Sequence, residues 1–316
     1  MDKIEVERRD VEAAVPVVRE VAFRTPTVPF PGADGERLWL KLENLQRLGS
    51  FKIRGTWNRI VRLTPGERAR GVTTISAGNH GLALAWAARR LGIPCVVRVP
   101  EGAVARKVDA IRAEGAEVEP IAPSEIMSTL QGERWRTWSR TFIHPFAHPA
   151  TIAGAGTLGL ELVEDLPDVG TVLVAVGGGG LAGGVALAVK GRAAHARVLG
   201  VQAEGAAPLP EALRTGRGTD IGGPARTIAD GIALPATLDN MAAFLSRHLD
   251  GCLVVSDEEI RAAMRRLAHQ AKTVAEPAGA AAFAAWTRHR AQLDPPVCAI
   301  VSGGNVDPKL LAAVLE

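Results

Sequence analysis

Tyrosine is absent from the 316 residues, cysteine occurs only three times, and seven of the 37 basic residues are lysine. Without tyrosine, no phenol is available as a catalytic acid or base. Cys95, Cys252 and Cys298 are far apart, odd in number and form no Cys-x-x-Cys pair, so neither a disulfide framework nor a zinc site is indicated. No run of about 18 apolar residues is free of both charge and glycine, and a membrane span is not read. The N-terminal MDKIEVERRDVEAAV alternates acid and base without an apolar centre, unlike a secretory signal. A formal net charge of +3 with no dense basic run gives no footprint for nucleic acid. These absences leave a cytoplasmic protein whose partner is a small molecule.

The composition is globular, with 47% hydrophobic and 22% charged residues, and the length suits one large or two ordinary domains. Short apolar runs alternate with amphipathic stretches. Strands are predicted at Arg37–Leu42, Val72–Ser76, Ile93–Val99, Glu117–Ile121, Thr171–Val176, Arg197–Ala203 and Pro296–Val301. Helices are predicted after Gly81 up to Gly92, over Ala103–Glu114, after Gly180, and over Asp257–Lys272. Strand, helix, strand at this spacing is the pattern of a parallel sheet. The fold class is therefore α/β with parallel sheets in two lobes.

Four segments carry chemistry. Gly177-Gly178-Gly179-Gly180 follows a strand that is apolar throughout and precedes a helix. Such a run lets backbone N–H groups and the helix dipole face an anion. It lacks the Lys-Ser/Thr of a nucleotide-hydrolysing loop. In Gly49–Gly55, Lys52 stands between Phe51 and Ile53 and is bracketed by glycines. Apolar neighbours disfavour the ammonium form and make the amine a better nucleophile for a carbonyl; the alternative is a surface lysine on a loop. Ser76-Ala77-Gly78-Asn79-His80-Gly81, at another strand-to-helix junction, suits a carboxylate or is simply a capped helix start. Ser302-Gly303-Gly304-Asn305 ends the last strand, where parallel sheets bind ligands, or forms a turn. Glu276 reads as an N-terminal carboxylate of a helix, Glu204 as a weak cation ligand, and His144 and His148 as structural residues. Together the four loops ask for one anion and one carbonyl on the same ligand, a demand that pyridoxal phosphate meets.

The chain resembles the serine/threonine dehydratase and serine racemase family of fold-type II pyridoxal-phosphate enzymes. The resemblance runs through Thr25-Pro26, Glu43–Gln46, Gly49–Gly55, Ser76–Gly81, Ile152-Ala153-Gly154, Gly177–Gly180, Thr227–Gly231, Glu276–Gly279 and Ser302–Asn305. It implies a tryptophan synthase β-like fold, with a large cofactor lobe (1–64 and 148–316) and a small mobile lobe (65–147). It implies that Lys52 condenses with the cofactor aldehyde, that Phe51 packs against the ring and that Asn79 meets the ring hydroxyl. Gly177, Gly178, Gly179 and Gly180 then hold the phosphate, Ser302 faces the pyridine nitrogen, and Ser76, Ala77, Gly78, Asn79 and His80 hold the substrate carboxylate. The implied activity is an ammonia-lyase that turns L-threonine, L-serine or a related β-hydroxy amino acid into a 2-oxo acid and ammonia. By the same analogy the protein is a homodimer.

Departures from the family pattern sharpen this reading. Racemases of the family carry a second serine where this chain has Ala77, so racemisation is disfavoured and stands as the alternative activity. A hydroxyamino-acid dehydratase of a specialised catabolic pathway is a further alternative, because Ala155 replaces a glutamine common at that position. No acid follows Glu204 at Pro208 or Pro210, so no metal is expected. No arginine occurs in Ser124–Leu130, which favours a neutral substrate side chain. The sequence ends soon after Asn305, which leaves no room for the regulatory domain of allosteric threonine deaminases. A non-catalytic binding protein and a nicotinamide-binding enzyme are the more distant rivals.

Overall fold

The computed structural model describes residues 2–31, 37–132 and 134–316. In chain order the strands are β1 (Thr27–Pro29), β2 (Leu38–Leu42), β3 (Val72–Ile75), β4 (Cys95–Pro100), β5 (Glu117–Ile121), β6 (Thr141–Phe142), β7 (Thr171–Ala175), β8 (Arg197–Ala203), β9 (Thr219–Asp220), β10 (Ala236–Thr237), β11 (Gly251–Val255) and β12 (Val297–Val301). The helices are α1 (Arg8–Arg19), α2 (Lys52–Ile60), α3 (Pro65–Ala69), α4 (Asn79–Leu91), α5 (Ala105–Ala113), α6 (Pro123–Gly132), α7 (Pro149–Asp165), α8 (Gly180–Lys190), α9 (Leu209–Thr215), α10 (Asp239–Leu245), α11 (Asp257–His269), α12 (Pro277–His289) and α13 (Pro308–Leu315).

Two sheets organise the molecule. The larger runs β1-β2-β12-β7-β8-β11 and the smaller β5-β4-β3-β6. The smaller sheet is parallel throughout, whereas in the larger one only β1 is antiparallel to its neighbour. β7 and β12 lie in the middle of the larger sheet, and every one of their residues is buried. This accounts for their unbroken apolar sequences, since a strand covered on both faces has no polar side. Helices α7 and α8 lie against each other near one face of this sheet, and α12 packs against β7 and β12. All strands of the smaller sheet come from residues 72–142. Among the described residues no helix is long and apolar enough to cross a membrane.

Local signals place the ends of the elements. Gly92 closes α4 in the left-handed region (φ 65°), where glycine is least strained. Ser256 and Glu259 form a reciprocal capping box at the start of α11. α11 stops at His269, three residues short of expectation, because Lys272 takes φ 54° and a helix does not continue through that conformation. β4 starts at Cys95, two residues later than expected, with Pro94 serving as acceptor for Val72 N–H in the turn before it. α5 likewise starts at Ala105 because Val104 is extended (ψ 120°).

Candidate active site

The segments singled out in the sequence converge. Parallel pairing aligns the C-terminal ends of β12 and β7, from which Ser302 and the Gly177–Gly180 loop emerge. The Ser76–Gly81 loop leaves the C-terminal end of β3 in the smaller sheet. An isolated bridge pairs Ser50 with Gly303, Phe51 N–H donates to Ser302 O at 3.1 Å, and Gly304 N–H donates to Gly49 O at 2.9 Å. The stretch around Lys52 therefore lies along the end of β12. Lys52 is the first residue of α2, and its Nζ donates to Pro145 O at 3.3 Å. Phe51 is half-buried, with the Lys52 nitrogen 5.1 Å from its ring centroid.

Burial pushes the Lys52 ammonium down from 10.5 to about 8, against the opposing attraction of Glu276. A free amine is therefore available near neutral pH, as nucleophilic and general-base chemistry at a carbonyl requires. His80 is buried, with Nδ1 3.3 Å from Thr56 Oγ1 and Nε2 3.3 Å from Ile143 O. Burial, reinforced by Lys52, pushes it down to about 3. The ring is thus neutral and already engaged, which leaves its backbone N–H as the group it offers a ligand.

The donors facing the site lack protein partners. Among the described residues no oxygen accepts the N–H groups of residues 177–180, nor those of residues 79–81 at the start of α4. The first set suits a phosphate and the second a carboxylate. Ser76 Oγ accepts Gly78 N–H at 3.1 Å and shapes the second loop. Ser302 is buried, yet none of the described residues makes a hydrogen bond with its Oγ. Gly178 is required by close approach, since a Cβ there would lie 2.2 Å from the Phe146 ring. The donor set and the lowered lysine fit a phosphate-bearing aldehyde.

A cavity of about 100 Å³ opens beside the carboxylate-type loop, lined by Ala77, Gly78, Asn79, Leu82 and Asn305 among others. A larger one of about 540 Å³ touches α1 and α7 and reaches Arg54; none of the strand-end loops lines it. Glu204 accepts from Arg288 at 3.2 Å. His148 caps α7 by accepting Ala150 N–H at 3.1 Å. His144 Nδ1 accepts two backbone N–H groups, from Phe146 and Ala147, and its Nε2 is buried without a partner among the described residues.

Two residues enter the site that the sequence reading left aside or read otherwise. Glu276 does precede α12, but its carboxyl makes no cap to that helix. Instead it accepts from Asn79 Nδ2 at 2.7 Å. Asn305 Nδ2 donates to Asn79 Oδ1 at 2.8 Å. The only prior sign of either was its place in a glycine-rich motif.

Residues 18–303 match the model of a family described as pyridoxal-phosphate dependent enzyme. The chain is 39% identical over 313 residues to an L-threonine ammonia-lyase of Thermotoga maritima, covering 97% of this chain and 77% of that one. It superposes on the crystal structure of a threonine deaminase from T.th. with a TM-score of 0.87 and 36% identity, covering 95% of this chain and 98% of the other. Against maize serine racemase the TM-score is 0.89 at 31% identity, covering 98% and 96%. Matched along nearly its whole length, this chain belongs to the pyridoxal-phosphate dependent enzyme family.

Proposed function

We propose that this protein is a pyridoxal-phosphate-dependent ammonia-lyase acting on L-threonine, L-serine or a related β-hydroxy amino acid, with a 2-oxo acid and ammonia as products. The observation that carries the reading is one depressed lysine together with two sets of unpaired N–H groups, one at a strand end of each sheet. The named relatives support the choice of lyase: the Thermotoga maritima protein is an L-threonine ammonia-lyase and the T.th. protein a threonine deaminase.

When bound, pyridoxal phosphate supplies an aldehyde that condenses with amines and a ring that draws electrons from the substrate Cα. The protein does the rest. The N–H groups of Gly177, Gly178, Gly179 and Gly180 bind the phosphate, and Phe51 packs beside the ring. Ser302 offers a neutral hydroxyl to the pyridine nitrogen and thereby leaves it unprotonated. Asn79 meets the ring oxygen. The loop Ser76, Ala77, Gly78, Asn79 and His80 orients the substrate carboxylate, chiefly through the backbone. Lys52 holds the aldehyde until substrate arrives and then, as a free amine, takes the Cα proton. The β-hydroxyl leaves with a proton as water, and the released enamine tautomerises to an imine that water hydrolyses to the 2-oxo acid and ammonia. Ala77 has no proton to return to Cα, which is why elimination is preferred over racemisation. We further read residues 65–147 as a lobe that moves against the remainder, and the enzyme as a cytoplasmic homodimer.

The test supplies purified protein with pyridoxal phosphate and a panel of β-hydroxy amino acids and measures 2-oxo acid release. Borohydride reduction followed by peptide mapping should place a pyridoxyl group on Lys52, and Lys52→Ala should abolish both tag and turnover. Substantial D-serine with little pyruvate from L-serine would instead make the protein a racemase.

A further inference from the structure

Asn79 opens α4, which follows a strand of the smaller sheet, yet both ends of its side chain are held from the larger sheet's side. Its Oδ1 accepts from Asn305 Nδ2, which also donates to Leu48 O at 2.7 Å. Its Nδ2 donates to Glu276 Oε1. The two partners therefore decide which end of the amide is the donor, and they use one of the two Nδ2 hydrogens. Glu276 is buried and reaches this position past Gly303. A Cβ on Gly303 would lie 2.2 Å from Glu276 Oε1 and 3.2 Å from Asn79 Nδ2, so only glycine leaves room for the bond. Glu276 N–H donates to Gly303 O at 3.0 Å, which anchors the residue from the backbone as well.

We propose that Glu276 is a positioning residue: together with Asn305 it clamps the Asn79 amide so that the remaining N–H faces the cofactor ring oxygen. The assignment rests on the pyridoxal-phosphate reading of the site. It makes the grip of Asn79 depend on contact between the bodies built on the two sheets, because either partner alone leaves the amide free to rotate. Burial and repulsion from Asp230 push the Glu276 carboxyl up to about 7, while Lys107, the Asn79 bond and Lys52 pull it down. Either form retains an acceptor oxygen for Asn79, and so does glutamine.

The experiment compares wild-type apoenzyme with Glu276→Gln, Glu276→Ala, Asn305→Ala, Asn79→Ala and the double variant Asn79→Ala/Glu276→Ala. Tryptophan fluorescence reads the affinity for added pyridoxal phosphate, and the melting temperature of each apoprotein checks the fold. Losing one oriented hydrogen bond to the ligand predicts about tenfold weaker binding in Asn79→Ala. Glu276→Ala is expected to lose about as much, Glu276→Gln less than about threefold, and the double variant no more than Asn79→Ala alone, because the residues act through one contact. Wild-type affinity in Glu276→Ala, or losses that multiply in the double variant, would overturn the proposal. If Glu276→Ala does not fold, Asn305→Ala carries the same expectation with the carboxyl intact. Borohydride tagging of the same wild-type sample separates the two readings: without a tag at Lys52 the cofactor assignment itself falls, whereas a tag with unchanged affinities refutes only the clamp.

Discussion

Arg54 lies two residues after Lys52 in α2 and is 1% exposed. Its Nε and Nη2 donate to Glu43 at 2.8 Å each, and its Nη1 and Nη2 donate to Glu161 at 2.8 and 2.9 Å. Thr157 Oγ1 takes the second Nη1 hydrogen at 3.3 Å, and Phe23 O, 3.0 Å from Nη2, shares an Nη2 hydrogen with the carboxylates. Burial alone would make this guanidinium easier to deprotonate. Attraction and hydrogen bonds from Glu43, then Glu161, outweigh it and hold the charge. Glu43 is itself completely buried, and its other side-chain partner among the described residues is Thr25 Oγ1, at 2.5 Å. Arg54→Met therefore strands a buried carboxylate, and breaking one partner of such a network costs about 3–5 kcal/mol. Against a total of about 5–15 kcal/mol for a typical domain, that is a large fraction. Urea unfolding of the apoenzyme, followed by tryptophan fluorescence, measures the loss without cofactor binding shifting the equilibrium. Arg54→Lys should recover only part, since one ammonium cannot make both bidentate pairs. Arg54→Met combined with Glu43→Gln should be more stable than Arg54→Met alone, because the penalty resides in the unpaired charge. A loss below about 1 kcal/mol in Arg54→Met, or a further full penalty from Glu43→Gln, would refute this account.

Other consequences are equally direct. Because the Lys52 amine titrates near 8 rather than 10.5, pyridoxal phosphate should combine with the apoenzyme faster as pH rises through about 8, read by stopped-flow absorbance. The same shift makes the unfolded chain the stronger proton binder between those values, so the Lys52 contribution to apoenzyme stability is present above 10.5 and fades as pH falls through about 8; a pH series of melting temperatures checks the sign. Gly178→Ala should weaken pyridoxal-phosphate affinity at least about tenfold, because its Cβ meets the Phe146 ring, and adding Phe146→Leu should restore part of it in the same fluorescence titration. The rings of His80 and His144, both pushed down to about 3 by burial, should show no titration between pH 5 and 8 in proton–nitrogen NMR of the histidine side chains.

Much of the frame is legible from local pattern because its causes are local. A strand covered on both faces must be apolar throughout, which marks Thr171–Ala175 and Val297–Val301; helix ends carry their own signals at Gly92 and Ser256. The glycine run before α8 and the rarity of lysine likewise mark the loop whose N–H groups lack protein acceptors and the buried Lys52. What escapes such reading is any role set by a partner far along the chain. Lys52 reads equally as a loop residue until α2 is seen to begin there, pinned by Arg54 to a glutamate 107 positions away. Glu276 has the sequence context of a helix cap, and nothing within one helical turn reveals that its carboxyl turns instead to an amide 197 positions earlier. The glycine at 303 shows the same limit from the other side. Its presence in Ser-Gly-Gly-Asn is enough to predict a turn, but what a side chain there would displace is the oxygen of that distant carboxylate. A glycine explained locally as freedom of the backbone is, in this site, a clearance for a long-range hydrogen bond, and only the three-dimensional arrangement distinguishes the two.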